Sequence, residues 1–367
     1  MQPEQHEYKV MGLAAYAKEH YIEEPLKVFE GMYKIDGLTI KPLLDITNHY
    51  QYLRRELEGY RFDAIAGAVQ RFTENILTEW VRNWTLETGL SKVILTGGVA
   101  LNIKASKIIS ELDSISNIHV AIASGDESIS IGAAQYLWNE SQNPMILKPI
   151  DSPYLGQGYN SEDINEALEH PFVKQHYDIV ENCSSKDIAE ILARGEIVAY
   201  MQGRMEFGPR ALGNRSILAS PIDTGIVQVI NTAIKNRDFW MPFTPSILDE
   251  FADEYIVNPK NIDARYMTMA FNSTDAAKTN LRAAIHQVDS TLRAQIVYKD
   301  LNPNYHDIIS EFSKITGVGA LLNTSLNIHG KPIVHKPIDV IDEILLHPLV
   351  ELKYFVFDNY LISLKEN

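Results

Sequence analysis

A loop rich in arginine and glycine carries the clearest chemical signal in this chain. Gly203–Pro221 reads GRMEFGPRALGNRSILASP and contains Arg204, Arg210 and Arg215. Guanidinium groups are permanently charged, and their planar donors suit phosphate and carboxylate oxygens. Glycine permits positive φ and lets the backbone approach a ligand closely. The pattern predicts an anion site; the alternative is a solvated loop in which Glu206 pairs with the arginines.

Three more polar clusters in the C-terminal half share this chemistry. They are Lys235 with Arg237, then Asp289 with Arg293 and Gln295, and finally Asn323, Ser325 and Asn327 ahead of a Gly-Lys-Pro turn. Amides and hydroxyls at the end of a strand can donate hydrogen bonds to a phosphate. Each cluster alone is also typical of a structural or solvated turn. Together, in an acidic chain, they predict a pocket for a polyanion such as a nucleoside triphosphate.

Two motifs in the N-terminal half each have a functional and a structural interpretation. The turn that begins at Gly97 and Gly98 and runs to Asn102 can bring backbone N–H groups to an anion, or can be a plain turn between a strand and a helix. Asp126 can bind a metal or cap the next helix through the N–H of Ser128. No two of the eleven histidines have the i, i+4 spacing, and none neighbours Asp126 in sequence, so a complete metal site is not visible.

Length, charge and cysteine content limit the functional class. A chain of 367 residues predicts two domains. Its formal charge of −15 argues against nucleic-acid binding, which needs a basic face. Cys183 is the single cysteine, which excludes an internal disulfide and fits a reducing cytoplasm. No signal peptide or membrane-spanning apolar run is evident, so we expect a cytoplasmic protein that does not bind membranes.

Hydrophobic periodicity predicts the elements that position these motifs. An apolar stripe predicts a long helix over 62–88 that ends at Gly89. A strand at Val93–Thr96, a glycine turn and a helix from about Ala100 follow, as expected of an α/β domain with ligands at the strand ends. Residues 140–160 lose periodicity. The expected division is a first domain over 1–145, a linker over 146–160 and a second domain over 161–367.

The second domain is also predicted to be α/β. Ser184 and Asp187 suggest a capping box before the helical sequence DIAEILAR, which leads through Gly195 to the strand IVAYM. A further helix is predicted at YHDIISEFSKITG. Strand-like segments are RYMTMAF, AQIVY, GALLN and YFVFDNYLISL.

Six segments, in this order, resemble the ATP-dependent O-carbamoyltransferases of the nodulation-protein, cephem and tobramycin type. They are KVMGLAAY, ILTGGVALN, GDESISIGAA, GRMEFGPRALGNRSILASP, KNRDFWMPFTPSIL and NTSLNIHGKPIV. The resemblance covers nearly the whole chain. It implies an α/β fold in which the C-terminal half of an actin/hexokinase-like domain is followed by a YrdC-like α/β domain.

The resemblance also implies an activity and a set of site residues. Carbamoyl phosphate and ATP, with Mg²⁺, would give carbamoyl adenylate, and a hydroxyl of a small-molecule acceptor would take the carbamoyl group as AMP leaves. Carried over by motif, the residues that hold carbamoyl phosphate and the ATP phosphates are Arg204, Arg210, Arg215, Lys235, Arg237, Arg293, Asn323, Ser325 and Asn327. Gly97, Gly98 and Asn102 would contact the adenylate, and Asp126 would bind a divalent metal, iron or zinc.

Family members are longer at the N-terminus, and the extra part carries a histidine pair that completes the metal site. We therefore expect a truncated or split enzyme, with exposed apolar surface that favours a homo-oligomer or a partner chain. The alternative function is a non-catalytic nucleotide- or phosphate-binding subunit that needs a partner with the missing half. A tRNA-modifying enzyme of the threonylcarbamoyl type is disfavoured by the acidic charge.

Overall fold

The computed structural model describes residues 6–141, 150, 152–235, 237–347 and 352–365. The chain divides into two compact units. The first comprises residues 1–125 with the short segment 259–262, and the second comprises residues 126–258 and 263–367. Both mix helices and strands, which confirms the α/β class at this level. The actin-like and YrdC-like assignments stay predictions.

The first unit is mainly helical. Its helices are α1 (Glu7–Ala14), α2 (Glu19–Glu30), α3 (His49–Glu56), α4 (Phe62–Thr88) and α5 (Ile103–Glu111). Its strands are β1 (Tyr33–Asp36), β2 (Thr39–Pro42), β3 (Lys92–Leu95) and β4 (Asn117–Val120). β1 and β2 form an antiparallel hairpin, and β3 and β4 pair in parallel.

Helix α4 confirms the prediction for residues 62–88, and it ends where Gly89 adopts the left-handed conformation with φ 68°. Its N-terminal part packs on α2, where the rings of Phe29 and Phe72 stack with centroids 6.2 Å apart. Farther along, Trp84 is 42 % exposed. The predicted apolar stripe is therefore only partly covered.

Several large apolar side chains lie on the surface of the first unit. Leu86, Leu90, Ile94 and Val99 are each more than 60 % exposed. Large apolar side chains are thus exposed in this unit, and a partner or oligomer that would cover them stays a prediction. No helix in the described part of the chain is both long and apolar enough to cross a membrane.

The second unit is built on a mixed β-sheet. Its described helices are α6 (Ser128–Ser141), α7 (Ser161–Leu168), α8 (Pro171–His176), α9 (Ser185–Ala193), α10 (Gly225–Val229), α11 (Ala252–Tyr255), α12 (Asp275–Asn280), α13 (Pro303–Thr316) and α14 (Pro337–Asp339). Its described strands are β5 (Tyr177–Val180), β6 (Val198–Met201), β7 (Arg215–Ala219), β8 (Thr244–Leu248), β9 (Ile256–Val257), β10 (Phe271–Ser273), β11 (Thr291–Leu292), β12 (Gln295–Val297), β13 (Ala320–Ser325), β14 (Tyr354–Phe357) and β15 (Tyr360–Leu364).

The main sheet has eight of these strands in the order β12-β8-β13-β7-β6-β14-β15-β5. The pairs β12–β8 and β6–β14 are parallel and the other neighbours are antiparallel. Every residue of β6, β7 and β8 is buried. The segments that carry the candidate site residues begin at the ends of these buried central strands.

Local predictions in this unit succeed except at one segment. Ser184 and Asp187 form the predicted capping box at the start of α9. The strand prediction for RYMTMAF is wrong, because only its last residue, Phe271, belongs to a strand. Met267 within it is 3 % exposed and has φ 55°. The segment is apolar because it is buried, and its irregular backbone prevents ladder pairing.

Candidate anion-binding site

The arginine-rich loop joins β6 to β7, which are antiparallel neighbours. Met201 at the end of β6 pairs with Arg215 at the start of β7, so the loop leaves the sheet and returns to the same rung. Gly203, Gly208 and Gly213 have φ of 45°, 111° and 106°. The predicted need for positive φ is thus confirmed at all three glycines.

Glu206 organises the inside of this loop. Its Oε1 accepts hydrogen bonds from the backbone N–H groups of Leu212 at 2.6 Å, Asn214 at 2.8 Å and Arg215 at 3.3 Å. The residue is 8 % exposed, and its Oε2 is buried without a hydrogen-bond partner. Glu206 therefore hydrogen-bonds the backbone of the loop, in contrast to the pairing with arginine side chains considered from sequence.

A buried amide network supports the loop from below. Gln202 Nε2 donates to Oδ1 of Asn214 at 3.0 Å and to Oδ1 of Asn302 at 2.8 Å. Asn302 Nδ2 donates in turn to Asn214 Oδ1 at 2.9 Å and to the hydroxyl of Tyr154 at 2.8 Å. Sequence reasoning missed this network, because its members are single polar residues far apart in the chain.

Asn323 belongs to a second buried network under the same loop. Its Nδ2 donates to Ala211 O, Ser246 Oγ and Gln295 Oε1 at 3.2, 3.0 and 3.3 Å. Gln295 Nε2 donates to the carbonyl of Leu212 at 2.8 Å. Asn323 is 1 % exposed, and its Oδ1 is buried without a partner. In this structure Asn323 therefore positions the loop from beneath.

Arg215 is fully buried, and its guanidinium donates hydrogen bonds to backbone carbonyls. Its guanidinium donates to the carbonyls of Gln202 at 2.6 Å, Asn214 at 2.8 Å, Gly203 at 3.0 Å and His335 at 3.1 Å. Burial lowers the pKa of Arg215. With its donors so occupied, Arg215 fixes both ends of the loop.

Arg204 holds the loop to the segment that precedes α7. Its Nε donates to Gly156 O at 2.8 Å and its Nη2 donates to Leu155 O at 2.7 Å. In the same place Gly156 N donates to Met205 O, and Met205 N donates to Gln157 O, each at 3.0 Å. The C-terminal part of the predicted linker, residues 152–160, is therefore integrated with the loop. Residues 146–149 and 151 of that linker lie outside the described residues.

Lys235 stands in a cage of neutral oxygens. It is 3 % exposed, and its ammonium contacts the carbonyl and hydroxyl of Ser325 and the carbonyl and Oδ1 of Asn327. The Asn327 distances are 2.9 Å to the carbonyl and 2.6 Å to Oδ1. Burial, and then the charge of Arg237, lower the pKa of Lys235 well below its usual 10.5. These predicted site residues thus lie together, with Lys235 at the end of a π-helical turn, Ile230–Lys235.

Arg293 is a cation without a protein counter-charge among the described residues. Its Nε is buried and has no hydrogen-bond partner. Burial lowers its pKa well below the usual 12.5, and the nearby positive charges of Arg210 and Arg237 lower it further. Arg237 itself donates to Oδ1 of Asn231 at 2.6 Å and lies 4.0 Å from the ring centroid of Phe243. The structure therefore brings these three guanidinium groups into one electrostatically coupled cluster.

The predicted basic residues thus divide into two sets. Arg204 and Arg215 direct their guanidinium groups to backbone carbonyls of the loop and its flanking segments. Arg237 and Lys235 also donate to carbonyls, but with Arg210 and Arg293 they form a set of cations whose charges lower one another's pKa. A small cleft lies beside the amide network and is lined partly by Tyr154 and Asn302. None of the predicted basic residues lines this cleft. The second set, and not the cleft, is the candidate anion site.

In the first unit, the predicted glycine turn is open to solvent. Gly97 has φ 92°, and a Cβ atom added at Gly97 or Gly98 would meet no described atom within 4 Å. Asn102 caps α5 by accepting from Ala105 N at 3.1 Å and exchanges two amide hydrogen bonds with Gln70 of α4. The turn has room for a ligand, but Asn102 already has a structural role. Contact with an adenylate stays a prediction.

Asp126 does not have the surroundings of a metal site in the described residues. It is exposed, and no group of three or more histidine, cysteine or acidic side chains that could hold a metal includes it. One carboxylate alone does not fit a bound iron or zinc ion. The capping interpretation stays a prediction, and no chemical step is assigned to a metal at Asp126.

Comparison with known proteins identifies the class. The model described as "Carbamoyltransferase N-terminus" matches residues 1–135, and the model described as "Carbamoyltransferase C-terminus" matches residues 189–364. The chain therefore belongs to the carbamoyltransferase family. Because the N-terminal family model matches residues 1–135, the expectation of a truncated C-terminal portion that lacks the first half of an actin-like domain is not supported.

Individual relatives agree with this assignment. The nodulation protein NolO of Bradyrhizobium diazoefficiens is 33 % identical over 92 % of this chain and 63 % of its own length. An uncharacterised protein of Methanocaldococcus jannaschii is 32 % identical over 94 % of this chain and 57 % of its own. The 3'-hydroxymethylcephem-O-carbamoyltransferase of Amycolatopsis lactamdurans is 30 % identical over 68 % and 45 %. The chain spans about three-fifths of the length of the first two relatives.

Solved structures give only distant likenesses. Full-length HypF in the phosphate- and nucleotide-bound form aligns over 48 % of this chain and 25 % of its own, with a TM-score of 0.33 and 18 % identity. HypF of T. kodakarensis gives a TM-score of 0.32 over 51 % and 22 %. Scores this low carry no argument about fold or activity.

Proposed function

We propose that the second unit binds carbamoyl phosphate and ATP, with Mg²⁺, and forms carbamoyl adenylate. Water would release phosphate from carbamoyl phosphate to give carbamate, whose oxygen would attack the α-phosphorus of ATP and release pyrophosphate. The carbamoyl group would then pass to a hydroxyl of a small-molecule acceptor, with AMP as the leaving group. Membership of the carbamoyltransferase family supports carbamoyl transfer in general. The dependence on ATP and the adenylate are the proposed part. The observation that carries them is the uncompensated charge at Arg293.

Arg293 is half-buried. A cation whose Nε is buried without a counter-charge is costly, because the protein interior solvates charge poorly. Arg293 also lies close enough to Arg210 and Arg237 for their charges to lower its pKa. A phosphate group would reverse the sign of these interactions, since guanidinium donors match phosphate oxygens in geometry. A ligand with several phosphates would satisfy several guanidinium groups at once.

The remaining predicted residues would act by holding this cluster in place. The loop between β6 and β7 is fixed by Glu206 and Arg215 before any ligand arrives. Preorganised charges bind and align two anions that otherwise repel each other, with little cost of rearrangement. Lys235 would contribute one more positive charge from its oxygen cage.

The assay is carbamoyl-phosphate-dependent exchange between ATP and labelled pyrophosphate, which reports adenylate formation without an acceptor. We expect exchange by the unaltered protein and its loss in Arg210→Ala and Arg293→Gln. Arg194→Gln is the matched control, because Arg194 is an exposed arginine of the same unit, outside the loop. Near-normal exchange in Arg210→Ala would remove the loop from the mechanism.

A binding measurement separates this function from the alternative one. If the folded protein binds ATP but shows no exchange with carbamoyl phosphate, the non-catalytic nucleotide-binding subunit is favoured. If it binds neither ATP nor carbamoyl phosphate, both functions are excluded for this site. The acceptor is proposed to be a small molecule because one relative is named for a cephem substrate.

A further inference from the structure

A second cluster of ionisable side chains lies outside the candidate anion site. Asp249 and Glu250 begin the short 3₁₀ turn after β8, and His306 lies in the first turns of α13. His306 Nε2 is 3.4 Å from Oδ1 of Asp249 and 3.6 Å from Oε2 of Glu250. One ligand atom from each of the three residues lies within 4.8 Å of the others.

The histidine is buried and unsatisfied, which sets this cluster apart from an ordinary acidic surface. His306 is only 8 % exposed, and its Nδ1 is buried without a hydrogen-bond partner. The two carboxylates are 40 % and 53 % exposed, so an ion can enter from solvent. The orphan Nδ1 points away from the two carboxylates; it is Nε2 that faces them, at 3.4 and 3.6 Å, which is longer than a good hydrogen bond. Nε2 therefore has room for a ligand between it and the two carboxylates.

Two of the three ligand-to-ligand distances match the edges of a metal coordination polyhedron, and the third lies within 4.8 Å. Zinc–nitrogen and zinc–oxygen bonds of about 2.0–2.1 Å in a tetrahedron separate neighbouring ligand atoms by roughly 3.3–3.4 Å. The observed separations of 3.4 and 3.6 Å are close to that value. A mixed imidazole and carboxylate set suits Zn²⁺ and similar first-row divalent ions better than Mg²⁺ or Ca²⁺, which prefer oxygen ligands alone.

We propose that Asp249, Glu250 and His306 bind one divalent transition-metal ion of the zinc type, through two carboxylates and the Nε2 of the imidazole. The fourth position faces solvent and takes water. Binding at Nε2 places the ring proton on Nδ1, and Oδ1 of Asp307 lies 3.8 Å from that atom. This distance is longer than a hydrogen bond, so Asp307 does not orient the ring in this structure.

The ion would act as a structural clamp. It would tie the end of β8 to the start of α13, whose N-cap residue is Asn302. Asn302 belongs to the amide network beneath the arginine-rich loop. Metal binding at this point would therefore stabilise the supports of the loop without touching its ligand, and the clamp is independent of the carbamoyl chemistry.

The test is calorimetric titration of the metal-stripped full chain with ZnCl₂, together with thermal unfolding with and without Zn²⁺. We expect a single tight site and a raised midpoint in the unaltered protein. Asp249→Asn should weaken this binding about tenfold or more and remove the thermal shift. Asp253→Asn is the matched control, because Asp253 is an exposed carboxylate in the next helical turn and is not part of the cluster.

His306→Gln should have the same effect as Asp249→Asn, and Co²⁺ gives an optical check. A visible absorption spectrum of four-coordinate Co²⁺, lost in both variants and kept in Asp253→Asn, would support the site. Because His306 is buried, failure of that variant to fold leaves Asp249→Asn as the deciding comparison. No binding at millimolar Zn²⁺, or equal binding in Asp249→Asn and the unaltered protein, would overturn the proposal and leave the cluster as a histidine beside two carboxylates.

Discussion

Replacing Arg293 by methionine is expected to stabilise the ligand-free protein while abolishing its binding of phosphate ligands. Arg293 has a buried Nε without a partner and two cationic neighbours, so its charge opposes folding when no anion is present. Replacing buried ionic groups by apolar side chains of similar volume stabilises proteins by about 1–4 kcal/mol. Arg293 keeps part of its side chain in contact with water, so we expect the lower half of that range, about 1–2 kcal/mol.

The same substitution at Arg215 is the matched comparison and has the opposite sign. Arg215→Met would remove the charged donor from the carbonyls of Gln202, Gly203 and His335, of which that of Gln202 belongs to a buried residue. Each unsatisfied group costs about 1–3 kcal/mol, so a loss of roughly 3 kcal/mol or more is expected. Arg293→Met and Arg215→Met should therefore change the free energy of unfolding in opposite directions.

The measurements are urea or thermal unfolding without ligand, followed by titration with ATP and carbamoyl phosphate. For a domain of 150–250 residues, 1 kcal/mol corresponds to about 2–4 °C in the melting temperature, so Arg293→Met should melt roughly 2–8 °C higher. If Arg293→Met melts at a lower temperature than the unaltered protein, as is expected of Arg215→Met, then Arg293 supports the fold. Undiminished ATP binding in Arg293→Met would refute the assignment of this cluster as the anion site.

Three smaller predictions follow from local geometry and charge. Gly213→Ala should cost about 2 kcal/mol or more in urea unfolding, because φ is 106° and the new Cβ would lie 2.6 Å from Cε1 of Tyr305; unchanged stability would contradict the geometry of the loop. Ser184→Ala should cost about 1 kcal/mol by the same assay, since it removes the capping box with Asp187, and a change below a few tenths would argue against the cap. Burial lowers the pKa of Lys235, so between that pKa and 10.5 the unfolded chain binds more protons and stability should rise with pH. A bound phosphate should raise the pKa of Lys235 again, so ATP binding at alkaline pH should take up a proton, and titration heats that do not vary with the ionisation enthalpy of the buffer would refute this.

Elements with a strong local signal were predictable from the sequence. Helix α4 runs over the predicted residues, because its apolar repeat is long and Gly89 provides a left-handed end. The capping box at Ser184 was also found, since its two residues are three positions apart. Local periodicity could not distinguish an apolar segment that is buried in irregular form from a strand, and this produced the error around Met267.

The sequence predicted which residues belong to the candidate site, but not which of its arginines bind backbone carbonyls and which remain for a ligand. Sequence singled out Arg204, Arg215 and Arg293 alike, because residue type and neighbouring glycines do not reveal which donors meet carbonyls. The structure shows that distinction through hydrogen bonds spanning up to 120 residues of sequence, such as that from Arg215 to His335. Gln202 and Asn302 were invisible for the same reason, since an isolated amide carries no local pattern.

The π-helical turn Ile230–Lys235 limits how the length of the chain can change at this point in related proteins. A π-helical turn accommodates one residue more than an α-helical turn, so deleting one residue from Ile230–Lys235 would let the backbone relax into ordinary helix. Each residue of an α-helix advances by about 100°, and the deletion would rotate the lysine away from Ser325 and Asn327 by about that angle. Relatives that lack one residue in this turn should therefore also lack the lysine, or the residues that supply its oxygen contacts.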